Sequence, residues 1–193
     1  MTEFNKIFTF AINPDKYLYL QETLLEQSLQ VTEASSYLFD GKSKRDAWVS
    51  QNIDWLIDPE DKSLKKPDIA GLGATGFCVP EKVAELLKPG LQSGCEFLPM
   101  NLNGEPWFSL NIVGTENAIN DNLTEWNMRR GKISRVRRFN KLVLSKDKIR
   151  NNGLFRVENA GLLTFTTDAE GSLYSIVQQY KLKGLDFNEV EAV

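Results

Sequence analysis

Residues 77–113 read FCVPEKVAELLKPGLQSGCEFLPMNLNGEPWFSLNIV, and the hydrophobic period switches twice along them. Phe77-Cys78-Val79 is a short apolar run suited to a strand. Pro80 then opens a helix at a position where its missing N–H costs nothing, and Glu81 sits near the positive end. Val83, Leu86 and Leu87 share one helical face, and Pro89-Gly90 is the expected stop. A strand over Phe97–Leu102, the Asn103-Gly104 turn and a return over Trp107–Val113 form a hairpin. Asn-Gly suits the left-handed dihedrals of a type I′ turn, and Pro106 suits an edge position.

The same strand–helix–strand plan recurs near the end of the sequence. Leu163–Thr166 reads as a strand, a helix follows from Thr167 or Asp168 to Lys181, and Leu185–Val190 alternates as a final strand. Leu173, Ile176, Val177 and Tyr180 make that helix's apolar stripe, and Gly184 fits its C-terminal cap region. Each helix must bury its stripe on a sheet. The expectation is an α+β fold: two amphipathic helices packed on one mixed or mainly antiparallel sheet. Phe139–Leu144 and Leu154–Val157 supply further short strands, with a turn at Asn159-Ala160-Gly161.

Toward the N-terminus, Phe4–Ile12 reads as an opening strand, followed by the turn Asn13-Pro14-Asp15. Residues 17–31 show near-helical leucine spacing, although Tyr19 and Leu20 allow a short strand first. The polar run from Asp58 to Ser63, closed by Lys65-Lys66-Pro67, is the best candidate boundary. It separates a smaller N-terminal α/β part, residues 1–66, from an α+β domain over 67–193. Gly71-x-Gly73-x-x-Gly76 invites a nucleotide-loop reading, but a strand follows it instead of a helix whose N–H groups would meet a pyrophosphate.

Composition removes several kinds of chemistry. The 193 residues include no histidine, which excludes histidine-assisted serine or cysteine hydrolysis and histidine-bound zinc or iron. Cys78 and Cys95 lie in apolar elements without Cys-x-x-Cys spacing and read as buried free thiols. Asp58, Glu60 and Asp61 could chelate a hard cation, but a solvated loop explains them more cheaply. Asp186 and Glu189 fall on opposite faces of a strand, so they do not form an acid–base pair. No catalytic set, metal site or cofactor is expected. With no run of 18 apolar residues and no basic, apolar leader in the first twenty, a cytoplasmic location is the expectation.

Charge is unevenly spread. Residues 1–60 carry ten acids against five bases, whereas 129–150 carry ten bases against Asp147 alone. Such polarity can steer a charged partner or satisfy itself within the molecule.

From Pro67 to Glu189 the chain resembles the bacterial immunity proteins of polymorphic toxin systems, a family typified by a Myxococcus protein. The points of likeness are Pro67-Asp68-Ile69, Phe77–Lys82, Phe97-Leu98-Pro99, Trp107–Ile112, Leu154–Val157 and Lys183–Phe187, in order along about two thirds of the chain. Residues 1–66 lie outside it. The chain departs from the family at Asn117–Asp121, where an aspartate pattern is usual, and at Pro80-Glu81, where Ser is usual. The resemblance implies direct binding and neutralisation of a cognate toxin protein in the producing cell.

For a binding protein, affinity comes from a few anchors inside a polar rim. Trp48, Trp55, Trp107 and Trp126 are the candidates; Trp55 and Trp107 read as core, and Trp126, in a polar stretch, as the one to meet a partner. Arg129, Arg130, Arg135, Arg137 and Arg138 would steer an acidic partner, with Asp121 and Glu125 beside them; the acids of 1–60 would steer a basic one. Structural roles fall to Asp68, Trp107, Arg156, Gly184 and Asp186, with Asp68 or Asp186 the expected carboxylate for a buried Arg156. Nucleic acid is the rival partner, through the same arginines, Lys132 and Phe139, but an acidic net charge and the lack of a known nucleic-acid module weigh against it. An adaptor role in a secretion apparatus is a further alternative. The 97–113 hairpin could also offer an edge for a homodimer.

Overall fold

A computed structural model describes residues 3–23, 39–57, 63–73, 75–151 and 153–193. Its strands form two principal sheets. Strands β1 (Ile7–Ile12), β2 (Tyr19–Glu22) and β3 (Gln51–Leu56) are followed by β4 (Ala70–Leu72) and β5 (Gly76–Pro80). Helix α1 (Glu81–Leu91) leads into the hairpin β6 (Cys95–Leu102) and β7 (Glu105–Ile112). Six of these strands close a barrel in the order β2-β3-β6-β7-β5-β4, sealed by a parallel contact between Leu20 and Leu72.

The second sheet uses β8 (Thr115–Glu116), β13 (Val143–Leu144), β14 (Phe155–Val157), β15 (Thr164–Thr167) and β16 (Leu185–Ala192) together with β1. Its order is β13-β16-β1-β15-β14-β8. Helix α2 (Leu173–Tyr180) lies between β15 and β16 in sequence. The broad α+β character therefore holds, with few helices. The expectation that both helices pack on one sheet does not: each belongs to a different sheet, and the helices meet between them. Their buried residues Val83, Ala84, Leu87, Leu91, Leu173, Ile176 and Val177 share one core with Phe77, Val79, Leu110 and Ile112 of the barrel and Phe10 and Ile12 of β1.

Alternation builds the layers. Trp107 faces the barrel interior beside Leu20, Ile53, Trp55, Leu72 and Cys78, while Leu110 and Ile112 turn outward to the helices. Cys78 and Cys95 are both buried and free, and they belong to these two different cores. A third core on the far face of the second sheet gathers Ile7, Ile119, Leu144, Phe155 and Phe165.

The two strand–helix–strand units have one geometry. β5 and β6 both pair antiparallel with β7, which lies between them. β15 and β16 both pair antiparallel with β1 in the same way. Each is a split βαβ unit, with its middle strand taken from elsewhere in the sequence. Strands from before Pro67 thus enter both sheets, and the expected division at that residue does not separate two sheets.

Local departures have physical reasons. Pro89 lies inside α1, because the helix runs on to bury Leu91 and to set Gly90 against Gly171, where an added Cβ would meet the Gly171 carbonyl oxygen at 2.0 Å. Asn103 and Gly104 take the left-handed dihedrals expected of the hairpin turn. Pro106 lies past the end of the β5 ladder, where β7 is locally an edge. The hairpin itself is flanked by β3 and β5, so it does not present the free edge expected for pairing with another copy. The helix expected within 17–31 begins as strand β2, and residues 24–31 lie outside the described residues.

Helix α2 starts later than Asp168. That carboxylate instead accepts hydrogen bonds from the backbone N–H groups of Asn5 and Lys6, at 2.8 and 3.0 Å. Ser172 caps the helix, its Oγ accepting from Ser175 N–H at 3.1 Å and donating to the Thr167 carbonyl at 2.6 Å. Replacing Ser172 by alanine should lower stability by about 1 kcal/mol, measurable as a shift in the urea midpoint at constant slope. An unchanged midpoint would show that the cap is energetically idle. The chain reverses after α2 at Lys181, which is left-handed (φ 52°), so Gly184 is not the cap.

Candidate binding site

Strand β9 (Glu125–Trp126) pairs with β12 (Phe139–Lys141), and the Trp126 and Phe139 rings lie 4.8 Å apart. Between them the chain leaves the body of the protein as an arm. A two-stranded ribbon of β10 (Met128–Arg129) and β11 (Lys132–Ile133) turns through Arg130 and Gly131, both at positive φ. Asn127 ties the root: its N–H donates to the Arg138 carbonyl and its Nδ2 to the Arg137 carbonyl, each at 2.8 Å, and its carbonyl accepts from Ser134 N–H.

The arm carries the positive segment read from the sequence. Arg129, Arg130, Lys132, Arg135 and Arg137 are exposed, and Arg138 is half-buried. Among the described residues none of these cations makes an ion pair. The acids Glu26, Glu33, Asp58 and Glu60 lie outside the described residues, as does Asp61 of the suggested cation cluster. Apolar side chains interrupt the charge: Val136 is 98% exposed, and Met128 and Ile133 are exposed on the ribbon. Trp126 is half-buried against Phe139, so it supports the arm more than it presents itself. Asp121 and Glu125 are exposed near the root.

Below the arm's return lies a cleft of about 680 Å³. Arg135–Phe139 form one lip, Ala160–Thr164 another, and Phe10–Ile12, Tyr19 and the β4–β5 hairpin complete the walls. The three glycines of the suggested nucleotide loop are in this hairpin. Gly71 gives way to the Tyr19 ring, which a Cβ would meet at 2.4 Å, and Gly76 pairs with Leu72. They build a wall between strands, with no helix N-terminus for a phosphate. Burial pushes the Tyr19 hydroxyl above its ordinary pKa.

Arg156 holds this cleft from beneath. It is buried, and it donates to the carbonyls of Phe39 (3.1 Å) and Gly161 (3.3 Å). The expected partners are elsewhere. Burial lowers its pKa, and the nearby Asp40 carboxylate opposes that. Above Gly161 (φ 75°) lies Arg138, whose Cδ would sit 3.0 Å from an added Cβ. Two buried polar atoms of residues lining the cleft lack hydrogen-bond partners, Arg138 Nε and Thr75 Oγ1.

Of the remaining structural residues, Asp68 ties the segment before β4 to the segment before β16. Asp68 Oδ2 accepts from Lys183 N–H at 2.9 Å, and Lys183 O accepts from the N–H groups of Asp68 and Ile69. Asp186 accepts from Asn13 Nδ2, while Gly184 O accepts from Asn13 N–H. Trp107 meets Trp55 edge-on at 5.6 Å inside the barrel, and Trp48 donates to the Pro99 carbonyl.

Sequence reading missed Glu96, which is buried in β6. Its carboxylate accepts from Ser43 Oγ, Lys44 N–H (2.9 Å) and Asn111 Nδ2 (2.8 Å). The period-2 run Glu96, Leu98, Met100, Leu102 was the available signal, since it places Glu96 on the barrel's inner face.

Among the described residues no group of three His, Cys, Asp or Glu could hold a metal ion, and no helix is long and apolar enough to cross a membrane. No family model matches the sequence, and no curated protein is significantly similar to it.

Proposed function

We propose that this chain is an immunity protein that binds a cognate toxin in the cytoplasm of the producing cell and neutralises it by occupying its surface. The observation that carries this reading is the arm, where arginines that make no ion pair among the described residues accompany exposed Val136, Met128 and Ile133. A charged rim around apolar side chains is the make-up of a protein-binding patch. An isolated two-stranded ribbon is also marginal in water, so a partner that packs against it adds stability. The resemblance over residues 67–189 supplies the class of partner, and the arm's charge calls for an acidic surface on it.

The test is co-expression with the product of the adjacent gene. The wild-type chain should restore growth and co-purify with that product. Arg129→Glu, Arg130→Glu, Arg135→Glu and Arg137→Glu combined should keep the circular dichroism spectrum and lose about 100-fold in affinity. A neighbour that is neither toxic nor bound would overturn the reading. So would salt-sensitive binding to nucleic acid with no protein partner, or stable association with secretion-apparatus proteins without protection.

A further inference from the structure

We propose that the cleft beneath the arm is an anchor pocket for an acidic, extended segment of the partner, one apolar side chain entering the cleft beside a carboxylate. This rests on the binding reading above and deepens it. Three observations carry it. The pocket is walled by rings and apolar stems, Phe10, Tyr19, Phe77 and Phe139 among them, which suits a single apolar side chain.

Its lip is cationic. Arg135, Arg137 and Arg138 line it, and among the described residues no carboxylate lies on it. Arg138 Nε and Thr75 Oγ1 are buried donors without partners. A donor in that state gains a hydrogen bond by turning toward a guest and loses none by doing so. An anion is the guest that the arginine prefers, and a carboxylate fits its planar geometry.

The third observation concerns the backbone. The β1–β15 ladder ends at Thr9–Phe165, whereas β1 continues along β16 to Ile12. Asn13 N–H bonds Gly184 O on the β16 side, and Asp168 N–H bonds Lys6 O on the β15 side. Odd-numbered residues of β1 therefore address β16, and even-numbered ones address β15. Ile12, beyond the last β15 partner, directs its backbone groups toward the cleft that Phe10, Ala11 and Ile12 line. A guest's backbone has the Ile12 groups to hydrogen-bond there.

The probe is a blocked pentapeptide, acetyl-Asp-Glu-Phe-Asp-Glu-amide, titrated into the folded chain and followed by backbone NMR. Its control is acetyl-Asn-Gln-Phe-Asn-Gln-amide. The acidic peptide should shift the resonances of Phe10–Ile12, Thr75 and Gly161–Leu163, and the control should not. Arg138→Gln should weaken it about tenfold. Ala11→Phe, placed at an exposed position on the cleft wall, should block it by filling the space. Shifts confined to the Arg129–Lys132 turn, or equal binding of both peptides, would overturn the pocket. So would unimpaired binding by Ala11→Phe, or competition won by a short oligothymidylate. Failure of the wild type to protect cells from the toxin strikes the function alone. Protection and toxin affinity undiminished by Ala11→Phe strike the pocket and leave the function standing.

Discussion

Glu96→Ala is expected to lower folding stability by about 4 kcal/mol, because it removes the acceptor that several buried donors share. Glu96 and Asn111 face each other across β6 and β7, and Asn111 Nδ2 also donates to the Lys42 carbonyl at 2.8 Å. Together they fasten residues 42–45 to the barrel, with Arg45 Nε 4.0 Å from the carboxylate. Alanine leaves Lys44 N–H without its acceptor and Asn111 Nδ2 with the Lys42 carbonyl alone. Burial by itself raises the Glu96 pKa, but the hydrogen bonds from Lys44, Ser43 and Asn111, with Arg45 nearby, outweigh it and hold the group below its ordinary value. A depressed carboxylate contributes its stability above the unfolded pKa and loses it as pH falls through the folded one. The gap between wild type and Glu96→Ala should therefore be constant above roughly pH 5 and narrow below the ordinary glutamate range. Urea melts at neutral and acidic pH measure it. A gap that widens on acidification would mean that the carboxylate is not held ionised by this network.

Gly184→Ala should cost about 3 kcal/mol, for two independent reasons. At φ 131° the backbone is one that L side chains rarely adopt, and the new Cβ would sit 2.0 Å from the Ile69 carbonyl oxygen. That oxygen belongs to the backbone, so relief requires the seam at Asp68–Ile69 and Lys183 to open. For a chain of this size the thermal midpoint should fall by about 9 °C, read by calorimetry. A fall no larger than that of an exposed alanine substitution would show that the seam yields freely.

The parts of the fold written in short-range pattern were legible. The strand, helix and hairpin of residues 77–113 appear where the period switches and where Asn103-Gly104 supplies the turn. Barrel closure was not legible. It depends on Leu20 meeting Leu72 and on Gln51–Ile53 lying beside Met100–Leu102, contacts that leave no local periodicity. The second sheet was hidden for the same reason, since β1 finds its neighbours at the far end of the sequence. Arg156 shows the limit for single residues. Its burial was readable from the apolar run around it, but its partners are the carbonyls of Phe39 and Gly161, and any residue type supplies a carbonyl. For the site, the arginine cluster was plain from charge alone. The cleft below it was not, because its walls come from five separated stretches that only the tertiary fold brings together.

The placement of β1 between β15 and β16 has a consequence for synthesis on the ribosome. The barrel strands emerge within the first 112 residues and can find one another early. β1 emerges before all of them and lacks its two neighbours until β15 and β16 have been translated. Pairings so far apart in sequence are slow to form. In the interval a nascent chain holds Ile7, Phe8, Phe10 and Ile12 without their final cover, so this strand is where a chaperone would find its client.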